Sequence, residues 1–449
     1  MPPTHRKGQL RLAAFFNHTG HHAASWLHPQ AQIDAGVNID HYVSLARSAE
    51  QAKFDCIFFA DSAAVRDGDM KAISRAAQYT AYFEPTTLLA SLAMVTEHIG
   101  LVATATTSYN EPYNIARRYA SLDHLSHGRA GWNVVTSGNA AEAYNFGRDE
   151  HYDHASRYDR AREFVQVVKD LWDSWDDDAF LRDRATGLYF DPARLHYLRH
   201  TGKHFTVRGP LNVPRPVQGY PVIFQAGTSE DGRELAAETA EAVFTAELTI
   251  EGSKAYYQDV KARMLKYGRR PDQLKVMPGV NPVVAATDSE ARDKHEFLQS
   301  LIHPDVGREY LSLLLGGVNL SPYPVDGPLP DLPETDASRS GIFKNVVALA
   351  RNENLSIRQL YMRLAGARGK RTIVGSATHV ADQFQQWFDE DAADGFVIQP
   401  SYLPGSLDDF TQFVVPALQD RGIFRSAYEG KTLRENLGLD RPASRYALT

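Results

Sequence analysis

The sequence predicts an α/β protein built as a (β/α)8 barrel, the TIM-barrel fold, with insertion segments. Eight short apolar segments rich in β-forming residues recur along the 449 residues, and nearly every one is followed by an amphipathic helical segment. Strands that alternate with helices pair in parallel through right-handed crossovers. Eight such units favour a closed barrel, and an open doubly wound sheet is the alternative.

The individual elements follow from the spacing of apolar residues along the chain. The predicted strands span residues 10–16, 54–60, 100–106, 130–135, 221–226, 241–245, 274–285 and 395–399. Helical spacing predicts helices over residues 39–52, 86–97, 115–125, 151–158, 160–175, 230–239, 254–267, 289–303 and 378–392. The end of the chain, from residue 411 to about 439, is predicted to be mainly helix and loop.

Three segments interrupt the alternation of strands and helices. We predict one barrel domain over residues 1–449 with insertions near 62–83, 176–220 and 304–370. The second insertion is rich in Asp, Arg and Pro and is predicted to carry a short hairpin around residues 197–207. The third contains the Pro-rich stretch 321–333 and is predicted to be mostly a mobile insertion.

Composition restricts the classes of function. With 48 basic and 55 acidic residues the formal net charge is −7, which argues against a nucleic-acid or anionic-membrane surface. A single cysteine, Cys56, lies in an apolar run and excludes an internal disulfide. No stretch has the length of a membrane span and the start lacks a signal peptide. We therefore expect a cytoplasmic protein.

Polar side chains collect at the predicted carboxyl ends of the strands, where barrel proteins bind their ligands. They are Asn17 and His18, Asp61, Thr106 to Ser108, Thr136 to Asn139, Gly227 to Ser229, and Thr245. Such a set, rich in hydroxyl groups, can hydrogen-bond a planar heterocycle and a phosphate. In the stretch 129–158, the rings of His151, His154 and Tyr158 are predicted to share one helix face.

Two of these positions have a purely structural alternative. The turn 227–229 before a helix suits a phosphate group, but Ser229 can equally cap its own helix. Asp61 can accept from a ligand N–H or can cap a helix. No metal site is predicted, because His151 and His154 have no Glu between them, and no G-x-S-x-G sequence indicates a hydrolase.

The chain resembles a known family at several motifs. These are Gly-Arg-Ala-Gly-Trp-Asn-Val-Val-Thr-Ser at 128–137, together with residues 54–61, 95–100, 111–117, 143–147, 157–158, 205–211, 221–229 and 393–396. The pattern resembles the flavin-dependent monooxygenases of the bacterial luciferase superfamily. The branch is the one that holds nitrilotriacetate and EDTA monooxygenases, pristinamycin-forming oxidase, dibenzothiophene-sulfone monooxygenase and long-chain alkane monooxygenase. The resemblance extends over nearly the whole chain.

This resemblance implies a barrel that receives reduced FMN (FMNH2) from a separate NADH:FMN oxidoreductase. Oxygen, the co-substrate, would form a C4a-(hydro)peroxyflavin that oxidises a small substrate next to nitrogen or sulfur. The FMN contacts that the resemblance implies are Asp61, Thr107, His154, Tyr158 and Ser229, and Ser137 is a further candidate. His18 and His303 are the catalytic candidates, and His303 can equally be a helix cap. Relatives of this kind imply a homodimer or homotetramer.

The substrate is expected to be a small molecule similar to an aminopolycarboxylate. The insertions 62–83 and 304–370 would cover the mouth of the barrel, where Arg66, Lys71 and Arg75 can meet a carboxylate or form an ordinary solvated face. Two alternatives remain open at this point. One is a deazaflavin-dependent oxidoreductase of the same barrel, and the other is a non-catalytic flavin-binding protein.

Overall fold

Eight parallel strands close into a barrel. The computed structural model describes residues 6–332, 341–366 and 371–447. The strands are β1 (Arg11–Phe15), β2 (Cys56–Phe59), β3 (Gly100–Thr106), β4 (Ala130–Val135), β5 (His200–Thr201), β6 (Thr206–Val207), β7 (Val222–Gln225), β8 (Ala242–Thr245), β9 (Lys275–Ala285), β10 (Arg371–Ser376) and β11 (Gly395–Ile398). The barrel runs β1-β2-β3-β4-β7-β8-β9-β11 and returns to β1. This confirms the predicted (β/α)8 barrel over the doubly wound sheet.

Helices surround the barrel and extend over one end of it. They are α1 (Ile39–Gln51), α2 (Met70–Ile73), α3 (Pro85–Leu92), α4 (Pro112–Leu125), α5 (Glu142–Asn145), α6 (His154–Trp172), α7 (Glu230–Thr239), α8 (Ile250–Met264), α9 (Asp288–Ser300), α10 (Pro304–Leu314), α11 (Gly341–Asn352), α12 (Ile357–Ala365), α13 (Ala377–Asp389), α14 (Gly405–Asp409), α15 (Val415–Asp420) and α16 (Leu433–Asn436). None of the helices that the structure describes is long and apolar enough to cross a membrane.

One strand was not predicted, and one helix starts at a residue that overturns a predicted contact. β10 was not predicted; it pairs in parallel with the second half of β9, outside the barrel, from Arg371 opposite Val280 to Ser376 opposite Ala285. α6 begins at His154, where the side chain of Asp153 accepts from the Ser156 N–H. His151 therefore precedes the helix, so the prediction that it shares a helix face with His154 and Tyr158 is wrong.

The insertions contain more regular structure than the sequence indicated. The hairpin β5–β6 confirms the prediction near 197–207. In the segment 304–370, however, the structure has the helices α10, α11 and α12 where we predicted a mostly mobile insertion. Leu311, Leu315, Leu360 and Tyr361 pack there in a buried apolar cluster. This packing gives the helices a shared core.

The barrel interior is a packed apolar core. Ala13, Cys56, Val102, Met277 and Val397 belong to the buried cluster inside the strands. Burial raises the pKa of the Cys56 thiol, so this cysteine acts as a small apolar side chain, as the sequence predicted.

The junction between β1 and β11 depends on a glycine. A Cβ at Gly395 would lie 2.0 Å from the Arg11 carbonyl oxygen, because these residues are paired across the two strands. We expect Gly395→Ala to lower the free energy of unfolding by about 2 kcal/mol or more, since the backbone must move to admit a methyl group. Gly138→Ala is the control, because a Cβ there meets no atom within 4 Å. Equal melting temperatures for both variants in thermal denaturation would contradict this expectation.

Candidate active site

A cavity of about 910 Å³ opens at the carboxyl ends of the barrel strands. Its floor is formed by side chains that point into the barrel, in the layer next to the apolar core. The side chains that form it are Phe15, Phe58, Thr104, Asn133, Phe244 and Gln399. The cavity therefore has an apolar floor that is interrupted by three polar groups.

Two insertions line the mouth of this cavity. Val65, Arg66 and Ile73 come from the segment 62–83, and α10 contributes Val306, Tyr310 and Leu313. The two segments meet at an ion pair between Arg75 and Asp305, with 3.6 Å between Nε and Oδ2. Of the three cations that we expected near a carboxylate, Arg66 lines the cavity, whereas Lys71 and Arg75 do not.

Asp61 lies at the end of β2 and lines the cavity. The hydroxyl of Tyr82 lies 3.2 Å from its carboxylate and 2.7 Å from the Ser62 carbonyl, and its one hydrogen can go to either acceptor. Burial raises the pKa of Asp61 to about 6, with a smaller opposite effect from the Tyr82 hydrogen bond. Asp61 caps no helix that the structure describes, because α2 begins at Met70 with Asp69 as its cap. The capping alternative for Asp61 is therefore wrong.

Ser137 lines the cavity at the end of β4 and belongs to a network of hydroxyl groups. Its Oγ lies 2.7 Å from Thr106 Oγ1 and 2.7 Å from a carboxylate oxygen of Glu142. The other oxygen of Glu142 accepts from the hydroxyl of Ser62 over 2.9 Å. Glu142 thus joins the loop after β2 to the loop after β4. Nothing in the sequence indicated this role, since Glu142 lies seven residues beyond the end of β4.

Thr107 lies behind the wall of the cavity. Its side chain is fully buried, and its hydroxyl donates to the Val135 carbonyl over 3.3 Å. The preceding residue, Thr106, lines the cavity. The Thr107 hydroxyl thus holds the end of β4 at Val135. The predicted contact of Thr107 with FMN stays a prediction.

His154, Tyr158 and Ser229 come together at the start of α7, after the turn that follows the cavity-lining residue Ala226, and none of the three lines the cavity itself. The rings of His154 and Tyr158 have centroids 4.8 Å apart, and Ser229 Oγ lies 3.4 Å from the Tyr158 hydroxyl. Ser229 also accepts from the Gly232 N–H over 3.1 Å and caps α7. The capping alternative for Ser229 is therefore correct, and it leaves the neighbouring N–H groups of the turn available to an anion.

The two catalytic candidates lie outside the main cavity lining. His18 lines a small neighbouring recess, where its Nε2 lies 2.5 Å from the Ala77 carbonyl and its ring stacks on Tyr82. His303 caps α10, and its Nδ1 accepts from the Asp305 N–H over 3.2 Å. The capping alternative for His303 is thus realised, and catalytic roles for both histidines stay predictions.

Sequence reasoning missed two amides in the cavity floor. Asn133 and Gln399 are 3% and 1% exposed. Asn133 Oδ1 and both amide atoms of Gln399 have no hydrogen-bond partner within the described ranges. The sequence feature that could have identified them is an amide at an inward-facing position of an otherwise apolar strand.

Within the parts of the chain that the structure describes, no three His, Cys, Asp or Glu side chains are placed to hold a metal ion. The polar groups of the cavity are hydroxyls, amides and single carboxylates. They can hold a planar organic group by hydrogen bonds, with aromatic rings against its faces.

The chain is similar to several known proteins over nearly its whole length. Nitrilotriacetate monooxygenase component A from Aminobacter aminovorans is 54% identical over 446 residues and covers 98% of each chain. N-acetyl-S-(2-succino)cysteine monooxygenase from Bacillus subtilis strain 168 is 49% identical over 446 residues, which is 99% of this chain and 100% of that protein. The crystal structure of a riboflavin lyase with modified FMN and riboflavin matches with a TM-score of 0.83 at 33% identity, over 97% of each chain.

The luciferase-like monooxygenase family matches residues 19–394. Together with the two relatives, this match confirms the resemblance that the sequence indicated. It favours a monooxygenase over the deazaflavin-dependent and non-catalytic alternatives. The barrel, its cavity and the sequence matches agree: the chain belongs to the luciferase-like monooxygenase family.

Proposed function

We propose that the protein is a two-component monooxygenase that takes reduced FMN from a separate NADH:FMN oxidoreductase. It uses FMNH2 and O2 to oxidise a small organic substrate next to a nitrogen or sulfur atom. The observation that carries this proposal is the position of the turn 227–229: it follows Ala226, which lines the cavity, and leads to the capped start of α7, a place where N–H groups suit an anion. FMN has the same two parts, a planar ring and a phosphate.

The residues present fit FMN. At the phosphate end, the N–H groups at the start of α7 and the side chains of His154, Tyr158 and Ser229 supply donors. At the ring end, the unpartnered amides of Asn133 and Gln399 provide groups that a ring with N–H and C=O groups would satisfy. When bound, reduced FMN supplies the electron pair that activates O2.

The residues of this chain would bind and orient the flavin and the substrate and shield them from water. The aromatic rings of the cavity floor, Phe15, Phe58 and Phe244, would exclude water from the reacting atoms. Asp61 lines the cavity and, because burial raises its pKa to about 6, would hold or release a proton there near physiological pH. Tyr82 fixes the orientation of that carboxylate through its hydroxyl.

The proposed substrate is a polycarboxylate with a central nitrogen or sulfur atom. The two relatives above are named for nitrilotriacetate and for N-acetyl-S-(2-succino)cysteine, and both compounds carry carboxylates around such an atom. Arg66 and Arg118 line the cavity and can pair with carboxylates. The sequence predicted Arg66 but missed Arg118, which lies in α4 with an Nη atom 2.7 Å from Asn110 Oδ1.

Arg66→Ala is expected to raise the KM for a polycarboxylate substrate about tenfold with little change in kcat, because a carboxylate contact remote from the reacting atom contributes uniform binding. Lys71→Ala is the matched control, since Lys71 belongs to the same segment but does not line the cavity. Steady-state kinetics with nitrilotriacetate as the probe measures both effects. Equal KM changes in the two variants would argue against this carboxylate contact.

The test of the proposed function uses the full chain with FMNH2 supplied by a flavin reductase in a separate dialysis compartment. We expect substrate-dependent O2 consumption and incorporation of labelled oxygen from O2 into the product of nitrilotriacetate or a succinylated thioether. Reduced deazaflavin should not replace FMNH2. Substrate turnover with deazaflavin in the absence of O2, or no measurable FMN binding, would overturn the proposal.

Two further properties are part of the proposal. The protein is proposed to assemble as a homodimer or homotetramer and to act in the cytoplasm. Light scattering on the purified full chain measures the first property. A monomeric mass at micromolar concentration would overturn it.

A further inference from the structure

The two unpartnered amides of the cavity floor are not equivalent. Gln399 has an unpartnered donor, Nε2, and an unpartnered acceptor, Oε1. Asn133 has an unpartnered acceptor only, because its Nδ2 donates to Thr104 Oγ1 over 2.8 Å. An unpartnered buried amide destabilises the folded protein. Its presence in a cavity therefore indicates a ligand that completes its hydrogen bonds.

The backbone of Gln399 is held in place at the end of β11. Its N–H donates to the Val280 carbonyl over 2.8 Å, and its carbonyl accepts from Asn281 Nδ2 over 2.7 Å. A Cβ at Gly279 would lie 3.3 Å from Gln399 Oε1 and 2.2 Å from the Phe244 ring. Glycine at this position thus leaves space for both side chains. The amide is presented by a rigid strand end, which suits recognition of a ligand edge.

The chemistry of this amide selects its ligand. A donor and an acceptor side by side match a group that presents C=O next to N–H, as in an amide or imide. A carboxylate would pair with Nε2 but would face Oε1 of Gln399 and Oδ1 of Asn133 without any hydrogen to share. The polycarboxylate part of the proposed substrate is therefore a poor match. The pyrimidine edge of the flavin ring is an imide and is a good match.

We propose that the side-chain amide of Gln399 binds the imide edge of the FMN ring, donating to a ring carbonyl and accepting from the imide N–H. The inference rests on the proposed function. It would assign the phosphate to the turn after β7 and the imide edge to the end of β11, two strand ends on the same face of the barrel. Asn133 lies on the opposite wall of the barrel and keeps its own unpartnered acceptor, which the imide N–H does not satisfy.

An amide edge has a second possible source, because a substrate with an acetylated nitrogen also carries one. The test therefore begins without substrate, on the full chain, with FMN and an FMN analogue that is methylated on the imide nitrogen. Dissociation constants come from quenching of flavin fluorescence. We expect methylation to weaken binding to the wild type about tenfold and Gln399→Leu to weaken FMN binding by a similar factor.

The decisive result is the combination of the two changes. Gln399→Leu should bind FMN and the methylated analogue equally, because the interaction that the methyl group blocks is already absent. Full discrimination in the variant would overturn the inference. So would unchanged FMN affinity in Gln399→Leu together with a raised KM for an N-acetylated thioether, since that result assigns the amide to substrate.

Stability measurements separate ligand recognition from damage to the fold. The apoprotein of Gln399→Leu should melt about 2 °C higher than the wild type or more, because an unpartnered amide is replaced by an apolar group. Gln225→Leu is the matched control: this buried amide donates to Thr239 Oγ1 over 2.9 Å, so its loss should lower the melting temperature and leave FMN affinity unchanged. A lower melting temperature for Gln399→Leu together with weaker FMN binding would overturn the inference.

FMN binding by Gln399→Glu and by the wild type separates this inference from the proposed function. Gln399→Glu keeps the length of the side chain and removes the donor, so it should also bind FMN more weakly. If the wild type does not bind FMN, the proposed function fails. If the wild type binds FMN and neither Gln399 variant changes its affinity, this inference alone fails.

Discussion

Ser229→Asp is expected to weaken FMN binding about 100-fold while riboflavin, which lacks the phosphate, binds as it does to the wild type. Ser229 is the cap of α7 and accepts from the Gly232 N–H. Asp is as good a cap as Ser, so this substitution keeps the helix start intact. It adds a negative charge where the proposed phosphate lies, and like charges at contact distance repel strongly.

The surroundings of Ser229 make the expected effect specific. Asp231 is paired with His154, with 3.3 Å between Nδ1 and Oδ2, and Glu230 is paired with Arg263. The acids already present in the first turn of α7 thus have cationic or imidazole partners. A carboxylate at position 229 would instead face Tyr158 and the open N–H groups of the turn.

Ser356→Asp is the control variant. Ser356 caps α12 in the same way, accepting from the Gln359 N–H, and does not line the cavity. Titration of FMN and riboflavin, followed by flavin fluorescence, compares the two variants with the wild type. A loss of riboflavin affinity equal to the loss of FMN affinity would place the effect in the fold of the turn and contradict a phosphate site.

The barrel could be predicted because its information is local. The eight barrel strands are short apolar runs, and each of them lies within one of the eight predicted strands. β10 was missed because its sequence, Arg-Thr-Ile-Val-Gly-Ser, is short and half polar and follows directly on an insertion. Its formation depends on pairing with β9, a contact between distant residues that periodicity does not report.

The helices of the segment 304–370 were missed for a related reason. Its Pro-rich stretch 321–333 indicates irregular structure. The residues on either side have helical spacing, and their apolar side chains, among them Leu311 and Leu360, lie in one buried cluster. A local signal for a loop thus concealed three amphipathic helices whose stability comes from mutual packing.

The candidate site could be predicted in part. Strand ends marked Asp61 and Ser137, which line the cavity, and the turn before α7 marked Ser229. Gln399 lies at a predicted strand end too, but a single amide there carries no periodic signal. Glu142 and Arg118 come from helices, and only the folded chain brings them to the strand ends.

Asp61→Asn is expected to raise the melting temperature at pH 8 and to leave it unchanged at pH 4. Burial raises the pKa of Asp61 from 3.8 to about 6, so the folded protein binds this proton more tightly than the unfolded chain. The ionised carboxylate therefore lowers stability progressively between pH 4 and 6, and fully above that range. Removal of this effect is worth about 1–2 kcal/mol above pH 7, after allowance for the partly exposed position.

The exposed neighbour Asp67 provides the control for stability. It also lines the cavity, and because its carboxylate is exposed, Asp67→Asn should change the melting temperature little at either pH. Differential scanning calorimetry between pH 4 and 8 measures both variants. A stability gain for Asp61→Asn that is largest at pH 4 would have the wrong sign and would rule out a carboxyl group that is destabilised by burial.

The same carboxylate should make flavin binding depend on pH. If ionised Asp61 accepts from a ring N–H that only the reduced flavin carries, affinity for the reduced flavin rises as the pH passes through about 6, and Asp61→Asn removes the rise. Reduced riboflavin is the ligand for this measurement, because the phosphate of FMN itself titrates near pH 6. A rise that persists in Asp61→Asn would assign the titration to another group. A rise that disappears would show that the ionisation of Asp61 causes the pH dependence of flavin affinity.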